Sequence, residues 1–444
     1  MIIYRSFFPV LIVFQLMGST VLYSSETTDY DQYPYEVPTR QNPLKWGVIP
    51  ALAWDADLGL KYGGVFNLFD YGDYTLFPQY HQYLFVRVVN STGGTLQAQA
   101  ILESDKLLPQ AKIMAEVSYI RDSRLDFYGF NGSNAPYIPE LTDNNHPDFL
   151  NTHFYKKERM LTRLRLDVQR NLTGKNFRLL TGYAWNNIKL APIREEIYSN
   201  SGTNRNSNLY EYYSQWGIID PGERSGGSSH TFSLGLVYDT RNEFCYCTDG
   251  IWAETFLLFD PGLGSGRAFA RHVATFRHHF SMADERLTFS YRISSQQKVS
   301  GNTPFYLLPW IYDTRLTNDG PGGAFGLRGA FRNRHVGEGF VLSNFEAKFR
   351  TLDFNLFNIN FYTSVMIFYD NTILTQTYPW NLENVPVEYR SLLFKEQKQK
   401  LNHTFGPGLY IVFNKNNIIS VNYGISPNPQ NGSGGLYIGS SMLF

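Results

Sequence analysis

Cysteine is nearly missing from this chain: two residues in 444, Cys245 and Cys247, both within NEFCYCTDG. Two positions apart, they would close a very strained disulfide, and too few other ligands stand nearby for a metal site. They are read as an incidental turn pair. Charge is also scarce, at 18% of residues against roughly 25% in soluble domains. Lys+Arg and Asp+Glu are both 39, so the formal net charge is zero and nothing in the balance points to nucleic acid. After the first twenty residues, no apolar run reaches the ~18 residues of a membrane-spanning helix, which excludes a helical membrane protein. No G-x-S-x-G nucleophile elbow occurs, so hydrolase chemistry of that type has no support.

What is plentiful is aromatic: 31 Tyr and 34 Phe help bring the aromatic share to 16%. Low charge with many Tyr and Phe suits a surface that partly faces lipid and carries aromatic girdles. A large aromatic β-sandwich would share that composition, so the pattern along the chain has to decide.

The chain opens MIIYRSFFPVLIVFQLMGST, with Arg5 ahead of an apolar core from Phe7 to Met17 and then small residues. This predicts a secretory signal peptide over residues 1–25, cut between Gly18 and Ser25. A polar, Pro/Tyr-rich tail is expected over 26–44 and one all-β domain over 45–444.

Within that domain, ten-residue segments alternate between polar and apolar side chains. In RMLTRLRLDVQ, Arg159, Arg163, Arg165, Asp167 and Gln169 share one face, and Met160, Leu164, Leu166 and Val168 the other. Buried inside a soluble sandwich, such a charged face would be costly; a hydrated barrel lumen removes that cost. Sixteen segments read this way: 45–54, 58–69, 81–91, 94–103, 111–121, 158–169, 176–190, 230–239, 250–260, 268–280, 286–297, 338–350, 354–370, 402–414, 417–425 and 435–444. The four long connections (122–157, 191–229, 298–337 and 371–401) all follow odd-numbered segments, while most connections after even ones are short. That asymmetry predicts a transmembrane antiparallel β-barrel with long external loops, short periplasmic turns and both termini periplasmic, in the outer membrane of a Gram-negative-type bacterium. Tyr437, Gly439, Met442 and Phe444 fit the terminal pattern of such barrels. Pro50 in the first strand and Gly434 and Gly435 before and in the last weaken pairing, marking the closing seam as a weak line.

The sixth external loop contains GGAFGLRGAFRNRHVGEGF, residues 322 to 340, with six glycines and three arginines. Here the chain resembles the BamA/TamA superfamily, in which this loop folds back into the lumen and carries a [VL]-R-G-[FY] motif. Leu327, Arg328 and Gly329 match; Ala330 replaces the aromatic and Phe331 follows. The resemblance implies that Arg328 meets an acidic group on the wall, and two stand where the family's motifs would put them: Glu346 in NFEAKFR, and Asp370 with Phe368 in IFYDNT, where Thr372 replaces the expected glycine. Alternation places both carboxylates inward independently. YDTRNEF…TDGIWAE at 238–254, FGPG at 405–408 and VNYG at 421–424 resemble other family turns and hairpins, with Tyr410 and Asn422 where charged residues are commoner.

Relatives of the assembly type carry periplasmic POTRA domains, for which the tail is too short, so a POTRA-less member is expected. The resemblance implies insertion or translocation of protein or lipid with a separate periplasmic client-delivery protein, and contact with outer-membrane lipid and, during biogenesis, with the barrel assembly machinery. The alternative is a passive pore or structural surface antigen. No enzyme activity and no cofactor is expected; His272, His278 and His279 read as wall or girdle residues. The basic residues Arg159, Arg163, Arg165, Arg271, Arg277 and Arg292 either line an anion-favouring wall or are neutralised by acidic neighbours such as Asp167.

Overall fold

The computed structural model describes residues 42–74, 79–193, 208–243, 246–356, 359–413, 417–440 and 443–444. The signal peptide, most of the tail, Cys245 and Met442 lie outside the described residues. The strands are β1 (Leu44–Asp55), β2 (Gly59–Asp70), β3 (Gln82–Ser91), β4 (Thr95–Leu108), β5 (Ala111–Asp126), β6 (Lys156–Thr173), β7 (Phe177–Pro192), β8 (Gly226–Asp239), β9 (Gly250–Pro261), β10 (Ala268–Met282), β11 (Leu287–Gly301), β12 (Trp310–Ile311), β13 (Asn318–Asp319), β14 (Gly339–Leu356), β15 (Ile359–Gln376), β16 (Asn402–Phe413), β17 (Asn417–Gly424) and β18 (Gly435–Gly439). Sixteen of them close one antiparallel barrel in which each strand pairs with its neighbours in order, while β12 and β13 form a two-stranded ribbon within the loop that joins β11 to β14.

Alternation explains the barrel. On β6, Arg159, Arg163 and Asp167 are buried while Met160, Leu164 and Leu166 are exposed; on β11, Thr288, Ser290 and Arg292 are buried while Ile293 is exposed. A period of two with the polar set inside is the arrangement that lipid outside a closed sheet requires.

All sixteen expected strands are present, with differences at the ends. β4, β5 and β14 run further than the alternation suggested, to Leu108, Asp126 and Leu356. Leu352 and Asp353, between the expected segments 338–350 and 354–370, lie inside β14, because a register shift between Arg350 and Leu352 absorbs the extra residue; a bulge keeps the ladder going where strict alternation breaks. The last strand is shorter than expected and stops at Gly439. Phe444 is buried against the His279 ring on β10 (5.9 Å) and the Leu443 carbonyl accepts from Arg292 on β11 (3.5 Å). Gly439 and Phe444 therefore do not share one strand. The terminal aromatic takes its contacts from inside the barrel, on strands six places from β18 for Phe444.

The long connections follow β5, β7, β11 and β15, at one end of the barrel. Their aromatic residues condense into one cluster that includes Phe127, Phe130, Tyr210, Tyr213, Phe305 and Phe394. The helix Leu209–Gln215 feeds it: the Asn208 side chain accepts from Glu211 N–H at the helix start, and Tyr210 and Tyr213 point inward. The long-loop end thus has its own core.

Candidate functional site: Arg328 and the inner wall

β14 and β15 set up the site. Their register puts Asn344 opposite Asp370 and Glu346 opposite Phe368, all four side chains buried on the inner face. Into this quartet comes Arg328, itself 2% exposed. Nε donates to Asp370 Oδ2 (2.8 Å), Nη2 to Asp370 Oδ1 (2.9 Å) and Nη1 to Glu346 Oε1 (2.7 Å). The Arg328 backbone N–H adds a bond to Asp370 Oδ2 (3.2 Å). The guanidinium lies 3.7 Å from the centre of the Phe368 ring. One planar fork thus takes a bidentate carboxylate, a second carboxylate and an aromatic face, which a lysine could not match.

The support is equally specific. Asn344 Nδ2 donates to Asp370 Oδ1 and to the Gly326 carbonyl (both 2.8 Å), and the Tyr410 hydroxyl donates to both oxygens of Glu346 (3.1 and 3.2 Å). Burial alone would favour a neutral guanidine; the Asp370 and Glu346 carboxylates override it and hold Arg328 above the ordinary arginine value. Taking a charge out of water costs several kcal/mol, so breaking such a pair by removing one partner is expected to cost about 3–5 kcal/mol. The close approach needs glycine. Gly329 has φ +95, and a Cβ there would sit 2.6 Å from the Gly424 carbonyl carbon on β17.

Beyond the tip, the same segment bridges the closing seam. Gly329 N–H donates to the Tyr437 hydroxyl on β18 (3.1 Å), Phe331 N–H to the Asn431 carbonyl just before β18 (2.7 Å), and Arg334 Nε to the Gln430 carbonyl (2.7 Å). On the other side, Arg332 N–H donates to Asp57 Oδ1 in the β1–β2 turn (3.2 Å). Burial, with the Asp126 and Asp55 carboxylates, pushes Asp57 up to about 8.

The seam itself is thin. Among the described residues, β1 pairs with β18 only through Trp54–Ile438 and Asp55–Tyr437, although its other edge pairs with β2 from Leu44 to Asp55. Pro50 is exposed in the middle of β1, opposite Gly64. Gly435 opens β18, where a Cβ would lie 2.6 Å from the Ala56 Cβ, and Gly434 precedes it at φ +111. Tyr437 and Gly439 lie in β18. Leu327 is fully buried. Ala330 is buried as well, and the neighbouring Phe331 stacks on Tyr128 (5.2 Å) in the loop core, not at the Arg328 site.

Acids neutralise most of the basic wall, and the loop supplies two of them. Arg159 makes a two-pronged contact with Asp319 (2.7 and 2.8 Å) and pairs with Asp122 (2.7 Å). Arg277 pairs with Asp313 and Arg165 with Asp167. Arg163 faces Glu116 at 3.6 Å. Arg292 donates to Asn344 and to the Phe325 carbonyl, and Arg271 lies beside the Tyr312 ring (5.9 Å). Of the histidines, His279 bonds Ser290, His278 the Tyr291 hydroxyl and His272 the Thr255 hydroxyl.

Sequence reasoning missed Asn344 and Asp57 as partners of this loop. Asn344 shares the inward face with Glu346, so parity could have found it; Asp57 sits in a turn and carries no such signal.

No protein-family model and no curated protein sequence matches the chain. Solved structures do. BamA from Haemophilus ducreyi lacking POTRA domains 1–3 aligns at a TM-score of 0.52 and 12% identity, over 90% of this chain and 70% of that one. CdiB from Escherichia coli aligns at 0.54 and 10% identity, over 90% of this chain but only 63% of CdiB. At such identities the likeness is one of fold, and this fold supports an outer-membrane location. The architecture is that of the sixteen-stranded BamA and CdiB barrels.

Proposed function

We propose that this protein assists the insertion or translocation of polypeptide, or of lipid, at the outer membrane, using the β1–β18 seam and a client-delivery partner on the short-turn side. The observation that carries the reading is the seam. Within a bilayer, unpaired backbone groups cost several kcal/mol each, and an open edge is a ready template for a further strand. β1 presents such an edge from Leu44 to Ala53 among the described residues, and every other neighbouring pair in the barrel is longer. Residues 302–338 act in this reading as a luminal latch, fastened at Arg328 and spanning both sides of the seam.

The latch and the aromatic core of the long loops weigh against a passive pore, since both fill the path that a solute would take. The test is a disulfide across the seam, Trp54→Cys with Ile438→Cys, in a strain lacking the native chain. Oxidised, the locked barrel is expected to lose complementation of outer-membrane protein or lipid content, and reduction is expected to restore it. Full complementation by the oxidised form would favour the pore or surface-antigen reading.

A further inference from the structure

The wall that holds Arg328 is also touched from the opposite end of the barrel. Residues 240–249 join β8 to β9 at the short-turn end, where β4 and β5 need only Pro109 and Gln110. The longer turn sends Tyr246 to β15 and β16, four and five places round the barrel from β9. Its ring is buried edge-on against Tyr362 (5.3 Å, 81°) and Tyr410 (6.2 Å, 82°), and its hydroxyl donates to Ser364 Oγ (2.9 Å). Met366 and Phe368 belong to the same buried cluster, and Lys348 Nζ lies 4.8 Å from the Tyr246 ring centre.

The base of the turn is stiff. Asn242 Oδ1 accepts from the N–H groups of Thr248 and Asp249 (both 3.2 Å), while Arg241 bonds Asp239 (3.0 Å) and stacks on Trp252 (4.4 Å). An aromatic side chain on a braced arm, inserted far from its own strands, is more than a turn needs for closure.

One residue of the seat belongs to both contacts: Tyr410 packs on Tyr246 and donates its hydroxyl to Glu346. Phe368, in the same buried cluster, lies under the Arg328 guanidinium. We propose that this seat is a binding site for an aromatic side chain, filled here by Tyr246, and that emptying it loosens Arg328. An extended polypeptide arriving at the short-turn end with an exposed tyrosine or phenylalanine is the occupant that would displace the turn. Occupancy of the seat at one end of the barrel thus sets how firmly the loop is held at the other.

The inference rests on the latch reading, and the test separates the two. The full chain in proteoliposomes is treated with trypsin, and cleavage after Arg328, Arg332 or Arg334 is followed by mass spectrometry. Arg328→Ala should accelerate this cleavage; if it does not, the latch fails and the proposal with it. Tyr246→Ala should accelerate it roughly tenfold, the effect of losing an aromatic seat, and p-cresol, the tyrosine side chain as a free molecule, should slow it again. If Arg328→Ala accelerates cleavage but Tyr246→Ala stays within about twofold of the parent, or p-cresol has no effect, the coupling is overturned and the latch stands. Should Tyr246→Ala not give a heat-modifiable barrel, Tyr246→Leu keeps the bulk without ring or hydroxyl; acceleration supports the proposal and an unchanged rate overturns it.

Discussion

The β14–β15 hairpin and the β1–β18 seam belong to one barrel, yet they are built by different rules. β14 and β15 pair from Gly339–Gln376 to Leu356–Ile359 and present a preorganised set of acids, amide and ring. The seam is two register pairs among the described residues, with glycines at its margin. One loop segment binds both: charge fastens it to the hairpin, and a few main-chain bonds fasten it to the seam. Buried, multiply bonded ions are costly to disturb, whereas single neutral hydrogen bonds contribute about 1 kcal/mol each. The expected consequence is a loop permanently anchored on one side and releasable on the other.

Substitutions can break that contrast. The largest effect is expected from Asp370→Ala, which removes three Arg328 bonds and one from Asn344; a loss of about 3–5 kcal/mol should appear as a lower heat-modifiability midpoint in electrophoresis. Arg328→Lys keeps the charge but not the fork, and a loss of about 1.5–3 kcal/mol is expected by the same assay. On the seam side, Tyr437→Phe removes only the acceptor for Gly329 N–H and should cost about 1 kcal/mol. If it destabilised as much as Asp370→Ala, the two sides would not differ as described.

The smallest effect concerns pH. Asp57 titrates near 8 when buried, above the ordinary carboxyl value near 4 of an unfolded chain. Between those values the unfolded chain has released the proton and the folded one has not, so this group's contribution to stability falls as pH rises from about 4 to 8 and then levels off. Asp57→Asn should therefore gain on the parent in thermal stability at pH 8 relative to pH 5, as measured by parallel melts; an identical difference at both pH values would contradict it.

The barrel was legible because lipid outside and polar groups inside impose a period of two, and parity then fixes which end carries each loop. Parity alone also puts Glu346 and Asp370 inward. What periodicity cannot reach are places where the chain leaves the sheet. Nothing in NEFCYCTDG announces that Tyr246 crosses to another wall. The strand end at Gly439 and the inward position of Phe444 depend on His279 and Arg292, some 150 residues away. The partners of the basic wall were legible only in part for the same reason: Asp167 is visible beside Arg165 and pairs with it, but Asp313 and Asp319 come from a loop whose path no local pattern records.

Those two aspartates have a bearing on how the molecule is made. Arg277 is a wall residue that pairs with Asp313 of the β11–β14 connection, and Arg159 gains Asp319 from it beside Asp122 of β5, while Glu346 and Asp370 receive the Arg328 cation from the same connection. Sheet and loop are each electrically incomplete alone, since without the loop Glu346 and Asp370 lack the Arg328 cation. A nascent barrel with its sixth loop still outside would be a hydrated, unfinished intermediate, and that makes insertion of the loop the step that commits the chain to its final shape.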